Sequence, residues 1–367
     1  MAQVALQNIT MKFDSVIALQ DLSLEIEDGE FFVILGPAGA GKTTILKVIA
    51  GLLKPTRGRV YINGLDVTNV PANLRNIAMT FEDYALYPTF TVYQNLQNPF
   101  GALKNRLPKE EVDQKIHQIV TMLQIEHLLH RKVDQLSGGQ KQRVSLARSM
   151  VRQPRLFLFD EPLSHVDAKI RHSMRAELHR LASVLATTTI YVTHDYVEAL
   201  SLGDRIMVID KGVIQQIGTP SEIYHNPKNE FVAKIVGQPT INLFTFQVMK
   251  DKERLILQDP TNPQFSFSPK GQAGEILAKN LGETIRVGIR PQDIRYSFTP
   301  TNQDYFVSKV DLFELWGRRG MVLIMIGDNP IRILTQSDEV IPAGQEIWLN
   351  ISEAPLYLFN LAGAKLE

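Results

Sequence analysis

Apolar and polar residues alternate from the start of the chain. Val4, Leu6 and Ile9 are set among polar neighbours, residues 16–19 are mostly apolar, and Leu22, Leu24 and Ile26 resume the alternation before an Asp28-Gly29 turn. A period of two belongs to half-buried strands, so residues 1–35 are expected to open as antiparallel β-structure. The alternation stops at Phe31-Phe-Val-Ile-Leu35, apolar at every position. That suits a strand buried on both faces of a parallel sheet. It runs into Gly36, Pro37, Ala38, Gly39, Ala40, Gly41, Lys42, Thr43 and Thr44, and then into Ile-Leu-Lys-Val-Ile-Ala, a helix that Gly51 and Pro55 close. Residues 59–62 read as a strand before an Asn63-Gly64 turn, and 76–81 as another. Between Pro88 and Pro154 the period becomes helical: Val112, Ile116, Ile119, Val120 and Leu123 share one face behind Pro108. Residues 155–159 read as an apolar buried strand and 189–193 as another strand, and 206–209 with 213–217 form a hairpin about Lys211-Gly212, followed by a helix at 220–225. The helical signal fades after Gly237-Gln238-Pro239, where short β-segments are broken by Asp-Pro, Asn-Pro and Pro-Lys-Gly turns. The pattern predicts an α/β domain over 1–236, with a helical subdomain at about 88–154, and a small β-barrel domain over 237–367.

Candidate chemistry sits where those strands end. Gly36, Gly41, Lys42 and Thr43 satisfy G-x-x-x-x-G-K-[ST]. A strand delivers the chain to a loop free of bulky side chains, so backbone N–H groups can converge on phosphate oxygens and the helix adds its positive dipole end. Lys42 would reach the β- and γ-phosphates, and the Thr43 hydroxyl would hold Mg²⁺. Leu136-Ser137-Gly138-Gly139-Gln140 opens a basic helix carrying Lys141, Arg143 and Arg148, a second anion-binding nest or a simple N-cap. Asp160 and Glu161 follow an apolar strand, at the edge where an open α/β sheet binds its ligand. Asp160 can hold Mg²⁺ and Glu161 can polarise a water, while His194, one strand further on, reads as a γ-phosphate sensor. Phe13 either stacks on an adenine ring or packs in the core. His117, His127 and His130 read as surface groups.

Composition narrows the classes. The chain has 367 residues, 44% of them hydrophobic, enough for two or three domains with real cores. Its 39 basic and 39 acidic residues cancel, so no global field favours nucleic acid or anionic lipid. With no cysteine, disulfides, thiolate metal sites and a cysteine nucleophile are excluded, which fits a reducing compartment. There is no secretory leader pattern at Met-Ala-Gln-Val-Ala-Leu, and no apolar run approaches the roughly 18 to 20 residues that span a bilayer. Any membrane role is therefore expected to run through a partner.

Phosphate loop, aromatic-rich loop at 82, Leu-Ser-Gly-Gly-Gln at 136, Asp160-Glu161 and His194, in that order, resemble the ATP-binding-cassette (ABC) ATPases. Tyr84-Ala-Leu-Tyr-Pro88, Asp160-Glu-Pro-Leu-Ser164 and Gly288-Ile-Arg-Pro-Gln-Asp-Ile294 resemble motifs of the maltose-transporter-like subfamily of sugar and polyol importers, strongly to about residue 235 and more weakly to the end. The resemblance implies a P-loop NTPase domain followed by an OB/TOBE-like regulatory barrel. It places Phe13 on adenine, residues 36–44 on the phosphates and Ser137, Gly138, Gly139 and Gln140 on the γ-phosphate of ATP held by a second subunit. It further implies Asp160 in the Mg²⁺ site, Glu161 as general base, His194 as the switch histidine and 164–167 in a loop crossing the dimer interface. The implied ligands are ATP and Mg²⁺. The implied partners are a second ATPase subunit, identical or paralogous, two membrane permeases docking near residues 82–88 and an extracytoplasmic solute-binding protein, placing the chain at the cytoplasmic face of the membrane.

Two departures stand out. Glu82 occupies a position where the family usually has glutamine touching Mg²⁺ and the attacking water; a carboxylate remains a hard oxygen ligand but adds negative charge near the γ-phosphate. His165 replaces a usual asparagine, a change with no evident consequence. Competing readings are an importer ATPase for polyamine, iron or glycerol phosphate, and a soluble DNA-repair or translation ATPase. The latter is disfavoured by the short span between phosphate loop and signature, and by the single cassette.

Overall fold

In the computed structural model the opening alternation is β1 (Val4–Phe13) paired antiparallel with β2 (Val16–Ile26). Val4, Leu6 and Ile9 lack a common parity, yet all are buried. Asn8 adopts a left-handed φ of 52°, and the register shifts between Leu6 and Ile9, returning Ile9 to the core face. The structure describes residues 2–80, 84–101, 107–151, 154–164, 171, 174–176, 178–180, 187–252, 254–270, 273–299, 306–327, 329–335 and 340–367. These fall into two compact units, Met1–Ser221 and Glu222–Glu367.

In the first unit β3 (Phe31–Leu35) leads to α1 (Lys42–Ala50), and β4 (Arg57–Ile62) and β5 (Leu65–Asp66) form a hairpin. Its turn has Asn63 at φ 53° and Gly64 at φ 73°, the positive pair that a tight hairpin needs. Then come β6 (Ile77–Thr80), the helices α2 (Val92–Gly101), α3 (Lys109–Met122) and α4 (Gly138–Met150), and β7 (Leu156–Asp160). β8 (Thr188–Thr193), α5 (Tyr196–Leu202), β9 (Arg205–Asp210) and β10 (Val213–Gly218) follow, and α6 (Pro220–His225) spans the division into the second unit. The predicted face of α3 is buried at Val112, Ile116, Ile119 and Val120. The helix α2, which contains Pro99, is not individually expected from the sequence.

Two sheets result, ordered β2-β1-β4-β5 and β10-β9-β3-β8-β7-β6. Within the second, β3 runs parallel to β8 and β9, and β7 parallel to β6 and β8. Every residue of β3, β7 and β8 is buried; β3 is apolar throughout, whereas β7 ends in Asp160 and β8 buries the hydroxyls of Thr188, Thr189 and Thr193. Their carboxyl ends share one edge, which therefore carries Gly36, Asp160-Glu161 and His194. Ile45, Leu46, Val48 and Ile49 of α1 join Phe32, Ile34, Leu158 and Val192 in the core beneath that edge. The far end of α1 is closed by Arg75, whose Nη1 donates to the carbonyls of Val48 (3.0 Å) and Ile49 (2.7 Å) and whose Nε donates to Val70 O (2.9 Å).

The second unit holds α7 (Glu230–Ile235) and two five-stranded sheets. One is built from β11 (Asn242–Asp251), β12 (Arg254–Gln258), β13 (Ser266–Phe267), β14 (Thr284–Ile289) and β20 (Tyr357–Phe359). The other takes β15 (Arg295–Ser297), β16 (Phe306–Trp316), β17 (Arg319–Ile326), β18 (Asn329–Thr335) and β19 (Glu346–Asn350). Their inner faces share one barrel-like core that includes Phe244, Phe246, Val287, Ile324 and Leu349. Asn242, buried on β11, stitches the sheets: its amide donates to Arg332 O and accepts from Arg332 N, both at 2.8 Å. A short helix, α8 (Gly274–Lys279), interrupts the β-pattern and buries Leu277 in this core. Arg290 of the Gly288–Ile294 motif is also buried, donating to Val236 O and Tyr224 O at 2.6 Å and lying 3.9 Å from the centroid of the Tyr224 ring. These bonds tie the segment 224–236 to the barrel, so the compact division falls at Ser221/Glu222 rather than where the helical signal ends.

Candidate nucleotide-binding site

An open cleft of about 700 Å³ is lined by Ala18, residues 37–44, Glu161 and His194. Gly41 stands at φ 101°, and a Cβ there would lie 2.8 Å from Ala18 O, so both backbone and space require glycine. Gly36 N donates to Thr193 O (3.4 Å), and Gly212 N donates to Ala40 O (3.0 Å), fixing the loop at both ends. α1 begins at Lys42 and aims its unpaired first-turn N–H groups into the cleft.

Lys42 is 5% exposed, and its ammonium donates to Gly36 O and Pro37 O at 3.0 Å while standing 3.3 Å from Glu161 Oε1. Thr43 Oγ1 donates to Asp160 Oδ1 at 3.0 Å, across the gap between α1 and β7. Glu161 has a left-handed φ of 45°, a strained position for a non-glycine residue. It is held there by its N–H donating to Val192 O (3.0 Å) and by Ser164 N (3.2 Å) and Ser164 Oγ (2.9 Å), both donating to its carbonyl. The twist turns its carboxylate between Lys42 and His194, whose Nδ1 lies 2.8 Å from Glu161 Oε2. The imidazole is 59% exposed and so can meet a ligand entering the cleft.

The Thr43 hydroxyl and Asp160 carboxylate are adjacent oxygen donors of the kind Mg²⁺ takes. Among the described residues no group of three or more His, Cys, Asp or Glu converges, and phosphate and water oxygens are further ligands of the kind Mg²⁺ takes.

Phe13 ends β1 opposite Val16 and is 43% exposed, outside the core, and it does not line the cleft. Ala18, which carried no sequence signal, does line it. Ser137, Gly138, Gly139 and Gln140 are not part of the cleft lining. They form the start of α4, with Ser137 N donating to Gln140 Oε1 (3.1 Å) and Gln140 N donating to Ser137 Oγ (3.4 Å). Glu82 lies outside the described residues, as does His165. The loop just after Glu82 is tightly held: Ser145 Oγ donates to Tyr84 O (2.9 Å), Arg148 Nη1 to Ala85 O (2.5 Å), and buried Asn95 accepts from Tyr87 N (2.9 Å). Burial pushes the Arg148 guanidinium below its ordinary pKa. His117, His127 and His130 are exposed.

Residues 19–164 match the family described as ABC transporter. The trehalose/maltose import ATP-binding protein MalK of Thermococcus litoralis is 45% identical over 382 residues, covering 100% of this chain and 99% of the relative. The sn-glycerol-3-phosphate import ATP-binding protein UgpC of Yersinia enterocolitica is 38% identical over 371 residues, covering 100% of both. Among solved structures, the ATP-binding cassette MJ0796, a dimer in a post-hydrolysis state bound to ADP and Pi, superposes with a TM-score of 0.55 at 30% identity, covering 59% of this chain and 98% of that one.

Proposed function

The chain belongs to the ABC transporter ATPases, as a MalK-like ATP-binding subunit of the sugar and polyol importers, and on that premise we propose that it drives solute uptake by hydrolysing ATP in a site shared between two cassettes. The carrying observation is the unbroken line of Lys42, Glu161 and His194 along the sheet edge, 3.3 and 2.8 Å from link to link, beside a phosphate loop. In this reading the N–H groups of 39–44 and the Lys42 ammonium hold the β- and γ-phosphates. Glu161 takes the proton from a water whose oxygen attacks the γ-phosphorus as ADP leaves, and His194 orients Glu161 and the transferring phosphoryl group. Thr43 and Asp160 would hold Mg²⁺, which when bound offsets the phosphate charge. Phe13 stacks on adenine.

Residues 137–140 complete the site from a second subunit, alike or paralogous. One chain carries one phosphate loop and one signature, and the signature stands outside its own cleft, which supports action in trans. Residues 82–88 dock two permeases, so the chain works at the cytoplasmic face of the membrane without entering it. Among the described residues no helix is long and apolar enough to cross one. A solute-binding protein outside the membrane delivers the solute, a sugar, polyol or organophosphate. The names of the relatives support both the sugar and the glycerol-phosphate class. Residues 1–236 act as the ATPase domain and 237–367 as the regulatory barrel.

The test is Glu161→Gln in the full-length chain. It is expected to bind ATP, trap a closed dimer and lower kcat by about 10²- to 10³-fold. Brisk hydrolysis by that variant removes Glu161 as the base.

A further inference from the structure

Beneath His194 lies a carboxylate that none of these steps uses. Glu198, in the first turn of α5, is 4% exposed. Its Oε2 accepts from Thr193 Oγ1 at 2.7 Å and from Tyr191 Oη at 2.9 Å. Thr193 Oγ1 in turn accepts from Asp195 N at 2.9 Å. Asp195 caps α5, its Oδ1 accepting from Val197 N (2.7 Å) and Glu198 N (3.3 Å), and pairs with Arg171 at 3.8 Å. The residues immediately before and after His194 are thus bonded into one network that ends on Glu198. The same turn is fixed to both cleft walls, since Thr193 O accepts from Gly36 N and Val192 O accepts from Glu161 N.

A carboxylate buried in a sheet–helix junction is unfavourable unless its bonds are needed. Here it is the common acceptor for two buried hydroxyls, one of which braces the peptide that follows the histidine. We propose that Glu198 is a positioning residue for hydrolysis, acting through Thr193 to hold the 193–195 turn so that the His194 imidazole stays in register with the Glu161 carboxylate. The inference rests on the reading of His194 and Glu161 as the hydrolytic pair. Glutamine matches glutamate in length and keeps a side-chain oxygen that can accept from both hydroxyls. Aspartate, one methylene shorter, cannot reach both hydroxyls.

The experiment measures steady-state ATP hydrolysis and ATP affinity of the full-length chain for Glu198→Gln, Glu198→Asp, Thr193→Ser, Thr193→Val, His194→Ala and the double variant His194→Ala/Thr193→Val. Gln and Ser keep the bonds, so kcat is expected within about twofold of the parent. Asp and Val break them, so kcat falls about tenfold with ATP affinity unchanged, the scale of a slightly misplaced catalytic group. In the His194→Ala background Thr193→Val adds no further loss. The inference is overturned if Asp and Val keep the parent kcat, if they weaken ATP binding in step with rate, or if the losses multiply in the double variant. Full activity in His194→Ala instead overturns the underlying reading of the hydrolytic pair. Should Glu198→Asp fail to fold, the Thr193 pair carries the same comparison.

Discussion

Gly51→Ala tests how the phosphate-loop helix is closed at its far end. Gly51 caps α1 at φ 78°, and a Cβ there would meet the Arg75 guanidinium at 2.6 Å from both Cζ and Nε. Placing alanine in the left-handed region costs about 1 kcal/mol by itself. Arg75 cannot simply retreat. It is 8% exposed and spends its N–H groups on the carbonyls of Val48, Ile49 and Val70. Displacing it forfeits one or more bonds from a charged donor, each worth about 1.5–3 kcal/mol. The sum is about 3 kcal/mol, which for a unit of this size lowers the melting temperature by about 6–12 °C. Thermal unfolding followed by circular dichroism, in the parent and in an Arg75→Ala background, separates the two contributions. With Arg75 gone, only the backbone strain of about 1 kcal/mol remains, leaving a coupling of about 2 kcal/mol. Equal losses in both backgrounds would refute the clash-and-cap reasoning.

Asn242→Ala removes both bonds to the Arg332 backbone inside the barrel and is expected to destabilise the second unit by about 2 kcal/mol, read by urea unfolding; an unchanged midpoint would mean the stitch contributes nothing. For pH dependence, the sign follows from Glu198, whose folded-state pKa burial raises above the ordinary 4.5. Such a carboxyl costs no stability below 4.5 and an increasing amount as pH climbs through its folded value. Glu198→Gln should therefore melt higher than the parent at pH 7.5, with the gain shrinking toward pH 4.5, and a gain constant with pH would contradict this. Glu82→Gln should keep at least parental hydrolysis in the permease-coupled complex, because an amide oxygen can still ligate a metal and the added negative charge is gone; complete loss of activity would exclude the ligand role.

The phosphate loop was legible because its information is local: an apolar strand, three glycines, a lysine and a helix lie within twenty residues, and each constrains the backbone directly. Asp160 and Glu161 were legible for a related reason, being the first polar residues after the apolar run Leu156–Phe159, and His194 by its place just past the end of the next strand. What pattern could not show depends on tertiary placement. The shift at Asn8 that restores Ile9 to the core is a backbone device with no hydrophobic signature. The helix α2 buries Val92, Leu96 and Phe100 at helical spacing, but Pro99 in its last turn reads in sequence as a helix breaker. Glu198 reads in sequence as an ordinary helical surface charge, and only burial beside the Tyr191 and Thr193 hydroxyls gives it a role. Ala18 enters the cleft because Gly41 lies against its carbonyl, a contact between β2 and the loop before α1. The α8 turn within the barrel is short enough that its single buried Leu277 resembles a strand position.

The placement of β3 also bears on how the chain is made. Its partners in the sheet are β8 and β9, with Phe31 opposite Thr189 and Phe32 opposite Arg205. At about 5–20 residues per second, a ribosome needs roughly ten to thirty seconds to supply them after Phe31–Leu35 emerges. Throughout that interval five consecutive apolar residues wait without the strands that later pair with them on either side. The nascent chain thus presents a strand-edge segment suited to capture by a holding chaperone, and slowing elongation downstream of the phosphate loop should lower the yield of active protein more than slowing it within the barrel.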